Sequence, residues 1–339
     1  MAVPFDVGAL RTTGEAFPVW ENIPAAANVV YGAFSSSAVG SLAFWSGNRF
    51  VNRELVWMDR TGKRIGTVGM PEQYVLSFDL SPDEKTLAVT QGVTPQTDIW
   101  LIDLNHGNKT RFTFGFGGLY PQWTPDGASI IYSHIAGPTN DIVRKRLSGG
   151  TEEVLARALV NGYTTDVSPD GKQIAHMMSV AKTGYDISII SVDGNHQASV
   201  YLGTPANERS AHFSPDGKWM AYDSNESGQY EVYVQTIPAG GKKYQISTTG
   251  GSLPVWRRDG EELFYLSLDQ KIMSVPVHIN GLTLAPGTPQ ELFSVPGATA
   301  FTITRDAQRV LVNLPAGGEA AVAPPITVLT NWQAALKSR

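Results

Sequence analysis

The sequence contains no cysteine among its 339 residues, which excludes disulfide bonds and thiol chemistry. It also lacks long hydrophobic runs, because its apolar segments have the length of strands and fall short of the ~20 residues that a membrane helix needs. No run of lysine and arginine is longer than three residues, and the formal net charge is −5 at pH 7. We therefore expect that the protein neither binds nucleic acid, which requires a basic surface, nor inserts into a membrane, which requires a long apolar segment.

Several motifs of catalysis and targeting are missing too. The chain has no G-x-S-x-G, no H-E-x-x-H and no HRD or DFG triplet, so an elbow-type serine hydrolase, a zincin and a protein kinase are all excluded. The segment Met1–Asp6 has neither a basic region nor a long apolar region, and no signal peptide is predicted from it.

What the sequence does have is a repeated turn, best seen at Ser214-Pro215-Asp216-Gly217. Proline presets the second turn position, aspartate accepts from the backbone ahead, and glycine takes the positive φ. Intact and degenerate copies start at residues 37, 81, 124, 168, 214, 257 and 304. A repeat of that length with several short strands per unit predicts a β-propeller.

The repeats predict an all-β, seven-bladed β-propeller of four-stranded antiparallel blades, in one domain over residues 1–339 with a short C-terminal tail at 332–339. The front half of one blade stands at the C-terminus, and a back half stands at the N-terminus. We expect strands from both termini to close the ring, since this pairs edges that would otherwise be exposed. Met1–Phe5 and Ile326–Asn331 compete for the third place in this shared blade.

These repeats resemble the WD40-like PD40 repeats of the TolB propeller family over nearly the whole chain. The resemblance is closest to the C-terminal propeller of bacterial receptor-type serine/threonine kinases, through Leu55–Lys63, Phe213–Tyr222, Ser224–Gly228, Trp256–Leu266 and Pro325–Trp332. It implies a sensor or binding module outside the cytoplasm in a full-length protein. The repeat itself specifies a fold strongly and a function weakly.

A comparison of the repeats at fixed register predicts the lining of the central channel. The second residue before each turn is mostly polar, and the set is Ser35, Asp79, Gln122, Asp166, His212, Val255 and Thr302. Asp79, Asp166 and His212 would converge there, and aspartate with histidine is a possible ligand set for a divalent metal such as Zn, Mn or Ca. A water-filled polar channel is the alternative reading of the same residues.

Aromatic and charged residues gather where each first strand begins, at the expected mouth of the channel: Tyr74, Tyr120, Tyr163, Glu208 and Arg209. Such a mixture suits a small molecule, a peptide or a protein, although tyrosines at strand starts also serve packing. The sequence therefore predicts a non-catalytic, sensor-type binding module at this mouth, with Gln122 beside it. The alternative is a metal-dependent hydrolase of small esters, in which Gln122 would orient the substrate.

Overall fold

The computed structural model of the protein describes residues 3, 5–16, 34–37, 41–45, 52–93, 96–115, 117–137, 139–160, 162–194, 196, 198–317 and 326–330. The chain divides into two compact units, one formed by residues 1–51 with 321–339 and the other by residues 52–320. Within the described ranges there is no helix long and apolar enough to cross a membrane. The tail predicted at 332–339 lies outside the described residues, and the single domain over 1–339 stays a prediction.

The described residues of the first unit form a two-stranded and a three-stranded antiparallel sheet. Its strands are β1 (Phe5–Asp6), β2 (Arg11–Thr12), β3 (Phe34–Ser36), β4 (Leu42–Trp45) and, late in the chain, β30 (Ile326–Leu329). β1 pairs with β2, while β4 lies between β3 and β30.

The second unit has six antiparallel sheets among its described residues. Its strands are β5 (Arg53–Asp59), β6 (Arg64–Glu72), β7 (Tyr74–Leu80), β8 (Thr86–Val93), β9 (Gln96–Asp103), β10 (Lys109–Arg111), β11 (Gly118–Trp123), β12 (Ser129–Ala136), β13 (Thr139–Arg146), β14 (Glu153–Val160), β15 (Gly162–Val167), β16 (Gln173–Val180), β17 (Gly184–Ser191), β18 (Ala198–Leu202), β19 (Glu208–Phe213), β20 (Trp219–Ser224), β21 (Glu231–Thr236), β22 (Lys243–Gln245), β23 (Ser252–Trp256), β24 (Glu262–Leu266), β25 (Lys271–Asn280), β26 (Thr283–Pro286), β27 (Gln290–Ser294), β28 (Ala300–Ile303) and β29 (Arg309–Pro315). In order these form sheet 1 (β7–β10), sheet 2 (β11–β14), sheet 3 (β15–β18), sheet 4 (β19–β22), sheet 5 (β23–β27) and sheet 6 (β28, β29, β5, β6).

The repeated turn has the geometry that its residues predict. In the best copy Ser214 Oγ donates to Asp216 Oδ1 at 2.6 Å, and the backbone N–H of Lys218 donates to the same oxygen at 3.1 Å. The N–H of Gly217 closes the turn on the Ser214 carbonyl at 2.8 Å, with φ at +70°. The turn aspartate is therefore engaged by its own turn, and Asp83, Asp126, Asp170 and Asp306 repeat this arrangement.

Alternation along each second strand builds the core between neighbouring sheets. All six residues of β20 are buried, because one face packs against each neighbour. Trp219 and Ala221 lie in a cluster with residues of sheet 5, whereas Met220 and Tyr222 lie in a cluster with residues of sheet 3. Each sheet thus buries both faces only through its neighbours, as the repeat predicts.

The sharing of one sheet between distant strands differs from the prediction. β5 takes the third place beside β29, so neither Met1–Phe5 nor Ile326–Asn331 takes it, and β30 pairs with β4 instead. β5 and β29 have 7 residues each and pair along their full length, whereas β4 has 4 residues. The seven-residue ladder of β5 with β29 offers more backbone hydrogen bonds than a four-residue ladder such as that of β30 with β4, which favours β5 in the third place. The spacing of the repeats in the sequence does not reveal this preference.

The chain therefore has the predicted all-β architecture of four-stranded antiparallel sheets in a propeller-like arrangement. Seven blades, and a ring of seven closed by strands from both termini, are not confirmed. In the described ranges of residues 52–320 there are six sheets, and the three-stranded sheet of β3, β4 and β30 belongs to the other unit.

Candidate functional site

The first strand of every sheet in the second unit lines one central cavity of about 450 Å³. We call these the inner strands: β7, β11, β15, β19, β23 and β28. Each contacts the inner strand of the next sheet, and β28 contacts β7. The polar register set of the sequence lies on this lining at Asp79, Gln122, Asp166, His212 and Thr302.

A bulge near the middle of the inner strands directs these side chains. The pairing register shifts just before Gln122, Asp166, His212 and Val255. In three of these strands a non-glycine residue takes positive φ at the shift, namely Tyr120, Ser210 and Leu253 at 52°, 51° and 54°. A bulge bends a strand and re-aims the residues that follow. Because none of the three is glycine, asparagine or aspartate, the sequence carried no signal for it.

Asp79 and Asp166 each join two neighbouring sheets. Asp79 Oδ2 accepts the backbone N–H of Trp123 at 2.7 Å, and Asp166 Oδ2 accepts that of Phe213 at 2.8 Å. Asp166 Oδ1 also accepts its neighbour's N–H, from Val167, at 2.8 Å. His212 Nδ1 lies 3.8 Å from Asp166 Oδ2. The two aspartates that line the cavity therefore also connect neighbouring sheets, Asp79 between sheets 1 and 2 and Asp166 between sheets 3 and 4.

The cavity shifts the titration of these groups. Burial raises the pKa of Asp79 to about 7, against the hydrogen bonds from Trp123 and Leu80. Burial, with a contribution from the charge of Asp79, raises the pKa of Asp166 to about 8. Burial lowers the pKa of His212 to about 4. At neutral pH the histidine is therefore uncharged and the aspartates hold part of their protons.

The metal prediction rests on Asp79, Asp166 and His212, with Gln122 nearby. All four line the same cavity, and Asp166 and His212 are neighbours. Within the described ranges, no group of three His, Asp or Glu side chains is arranged to hold a metal ion. The metal interpretation, and the hydrolase that depends on it, stay predictions.

Tyrosines from neighbouring sheets lie together where the inner strands begin. The rings of Tyr120 and Tyr163 have centroids 4.5 Å apart with a 37° tilt. Tyr185 of β17, which is 36% exposed, lies near enough that its ionisation would raise the pKa of Tyr120, of Tyr163 and of Tyr230, which stands just before β21. We call Tyr120, Tyr163, Tyr185 and Tyr230 the tyrosine row; it crosses sheets 2, 3 and 4. Tyr185 and Tyr230 were not identified from the sequence, although each directly precedes the acidic residue near the start of a third strand, Asp186 or Glu231, and this shared position could have indicated them.

Arg209 lies at the end of this row and is held in place. Its Nε and Nη2 donate to Asp223 Oδ2 at 3.0 and 2.8 Å, and its guanidinium stacks on the Tyr230 ring at 3.6 Å from the centroid. Asp223 is fully buried, whereas the Arg209 side chain is 32% exposed. Arg209 therefore presents one face to solvent while it neutralises a buried carboxylate.

The remaining mouth residues are placed differently. Glu208 is buried and accepts a hydrogen bond from the Thr204 hydroxyl, so it does not face solvent. Burial raises the pKa of Glu208, and its Oε2 has no partner among the described atoms. Tyr74 begins β7, but its side chain lies outside the described part of the structure.

Comparison with known protein families shows which family this chain belongs to. Residues 119–292 match the model of the PD40 family, the TolB beta propeller domain. The chain belongs to this family. The match covers sheets 2 to 4 and most of sheet 5, including the tyrosine row and Arg209. The relation to receptor-type kinases is not shown by these comparisons.

Among curated proteins, the chain is 23% identical over 180 residues to an uncharacterized protein of Agrobacterium fabrum, covering 51% of this chain and 60% of that one. It is 27% identical over 177 residues to the Tol-Pal system protein TolB of Francisella tularensis, covering 51% of this chain and 40% of that one. The aligned part thus spans between two fifths and three fifths of these relatives. Both are bacterial.

Solved structures share the fold. A protein of Agrobacterium tumefaciens provisionally named TolB superimposes with a TM-score of 0.64 at 17% identity, covering 79% of this chain and 99% of that one. An oligogalacturonate lyase in complex with manganese superimposes with a TM-score of 0.53 at 13% identity, covering 88% and 81%. At these identities the similarity concerns the fold alone.

Proposed function

We propose that the protein is a non-catalytic binding module that recognises a segment of another protein at the tyrosine row. The observation that carries the proposal is a pair of contacts on neighbouring sheets: the Tyr120 ring against the Tyr163 ring at 4.5 Å, and the Arg209 guanidinium on the Tyr230 ring at 3.6 Å, with the exposed Tyr185 nearby. Tyrosine and arginine are the side chains most enriched at energetic centres of protein interfaces. A planar guanidinium already fixed by Asp223 loses little freedom when it binds.

The row is arranged for a ligand rather than only for packing. Tyr185 and the Arg209 side chain remain about one third exposed, and none of the four tyrosines belongs to the buried clusters between the described sheets. Rigid aromatic groups supply contact area at a small cost in side-chain entropy. The outer rim of a propeller cavity of this kind therefore favours an extended segment, whose side chains alternate between the row and solvent.

The relatives agree with this proposal in a general way. One relative is named a Tol-Pal system protein, and the family model covers the sheets that hold the row. Since the aligned part spans only 40% of that relative, its partners do not transfer directly. The proposal for this chain rests on the row itself.

The test is a selection of binding peptides from a random library displayed on phage, followed by affinity measurements with the variants Tyr163→Ala and Tyr230→Ala. We expect each variant to weaken the selected peptides by tenfold or more, which corresponds to about 1.4 kcal/mol. Arg209→Ala is not suitable here, because it would leave Asp223 buried without its partner.

The control is Leu282→Ala, which removes an exposed hydrophobic side chain in the hairpin between β25 and β26. This variant should bind the selected peptides as the natural sequence does. Peptides whose affinity is the same for Tyr163→Ala, Tyr230→Ala and the control would place recognition elsewhere and contradict the proposal.

A further inference from the structure

The central cavity has a second end, formed by the repeated turns, and its composition changes in two of the six sheets. Proline occupies the second turn position in sheets 1 to 4, at Pro82, Pro125, Pro169 and Pro215, and all four line the cavity. In sheets 5 and 6 the same position holds Arg258 and Arg305, which line the cavity as well. Two neighbouring turns therefore place cations where the others place an apolar ring.

The turns pack in a fixed order around this end. A Cβ on Gly127 would lie 3.8 Å from Pro82, and a Cβ on Gly171 would lie 3.6 Å from Pro125. The second position of one turn therefore lies against the fourth position of the next. By the same rule Arg305 meets Glu84, and its backbone N–H and Nη1 bond the Glu84 carboxylate and the Pro82 carbonyl.

Glu84 stands where the turns of sheets 2 to 5 have glycine, and it keeps the positive φ of that position at 60°, as Ala307 does in sheet 6 at 52°. A side chain with a Cβ is strained in this left-handed conformation. The Glu84 carboxylate accepts the Arg305 backbone N–H and lies 3.9 Å from the Arg309 guanidinium, whereas Arg258 has no hydrogen bond or ion pair with any described residue. Partial burial and the nearby charge of Arg305 lower the pKa of Arg258, against the charge of Glu84, which raises it. Among the charged residues that line the cavity at the turns, two arginines, Arg258 and Arg305, thus stand against one carboxylate, Glu84.

We propose that Arg258 and Arg305 form a binding site for a single carboxylate group at the turn end of the central cavity. Two guanidinium groups can hold the two oxygens of a carboxylate through charge-assisted hydrogen bonds. A monoanion matches the single excess charge, whereas a dianion would be repelled by Glu84. The cavity of about 450 Å³ behind the arginines has room for the remainder of a small acid or for the last residues of a peptide.

Titration calorimetry with three probes tests the site and its source of carboxylate. The probes are the tripeptide Ala-Ala-Ala, the same peptide with an amidated C-terminus, and acetate. Binding of the free peptide but not of the amide supports the proposal and identifies a peptide C-terminus as the ligand. Equal binding of acetate supports it with a free organic acid as the ligand. Absence of binding by both carboxylates, or equal binding of the amide, overturns it.

Two variants connect binding to the arginines. Arg258→Pro restores the residue of the other turns, and no described backbone bond uses the Arg258 N–H, so we expect the fold to remain and carboxylate affinity to fall at least tenfold. Arg305→Gln should have a similar effect. Arg146→Gln removes an exposed arginine from the end of β13, outside the cavity, and serves as the control. Unchanged affinity in a folded Arg258→Pro variant overturns the proposal, and peptide binding at the tyrosine row is expected to be unaffected.

Discussion

Asp79 and Trp123 connect sheets 1 and 2 through two hydrogen bonds of different kinds. The Asp79 carboxylate accepts the Trp123 backbone N–H at 2.7 Å, and the Asp79 carbonyl accepts the indole N–H at 3.1 Å. Asp166 and Phe213 repeat the first of these bonds between sheets 3 and 4. The same two carboxylates are the partly desolvated groups of the cavity. Stability and cavity charge are therefore coupled through Asp79 and Asp166.

The first prediction concerns the pH dependence of stability. Asp79 and Asp166 keep protons in the folded protein up to about pH 7 and 8, whereas an unfolded aspartate loses its proton near pH 3.8. The bound protons therefore stabilise the folded protein at low pH. The free energy of unfolding falls as pH rises from about 3.8 to about 7 for Asp79 and to about 8 for Asp166, by up to about 1.4 kcal/mol per pH unit for each proton. His212 has the opposite effect, confined to the range between about pH 4 and 6.5.

Of these three groups, only Asp79 and Asp166 titrate between pH 6.5 and 8, so we expect the melting temperature to fall over this range. Asp166→Asn should lower the overall stability but make that fall shallower, because one of the two titrations is removed. The exposed Asp193→Asn serves as the control and should keep the original slope. Thermal unfolding at several pH values measures how the melting temperature changes with pH. If the slope were the same in Asp166→Asn as in the natural sequence, Asp166 would not titrate between pH 6.5 and 8.

The second prediction is that Arg209 is needed for stability. Arg209→Ala should lower the free energy of unfolding by about 3 kcal/mol, because it leaves the fully buried Asp223 carboxylate without its ion pair. Urea unfolding measures the loss, and the double variant Arg209→Ala, Asp223→Asn should recover part of it. A double variant no more stable than the single one would contradict this explanation.

A third prediction comes from a missing hydroxyl group in sheet 3. In sheet 1 Thr113 Oγ1 donates to Asp98 and accepts the Ile99 N–H, and in sheet 4 Ser247 makes the equivalent bonds to Glu231 and Val232. Gly203 follows the last strand of sheet 3, and a Cβ on it would lie 3.1 Å from Asp186 Oδ2. Asp186 Oδ1 has no described partner.

Gly203→Ser should therefore supply the missing hydroxyl and raise the free energy of unfolding by about 1 kcal/mol. Gly203→Ala is the matched control, since it has the same Cβ without the hydroxyl and tests the effect of the tight contact and of the backbone. Thermal unfolding of the three proteins compares them. A serine variant no more stable than the alanine variant would show that no such hydrogen bond forms.

The repeats explain why so much of the architecture was accessible from the sequence. Proline, aspartate and glycine fix each turn locally, and alternation along the strand then brings Asp79, Asp166 and His212 to the cavity. Residues whose position depends on a distant partner were not accessible. Arg209 and Glu208 are adjacent in the sequence, yet only contacts with Asp223 and Thr204 decide that one is half-exposed and the other buried.

The last prediction concerns residues 52–320 as an independent folding unit. Sheet 6 is completed within this range, because β5 pairs along its full length with β29 and Arg53 donates to Asn313 Oδ1 and the Gly297 carbonyl at 2.8 and 2.7 Å. A protein reduced to residues 52–320 should therefore remain folded and unfold cooperatively, as followed by circular dichroism on heating. Starting instead at residue 74, which removes β5 and β6, should abolish this transition, since β29 would be left as an unpaired edge. If the 52–320 protein unfolded without a cooperative transition, the remaining residues would be required for its stability, and the division into two units would not describe how the chain folds.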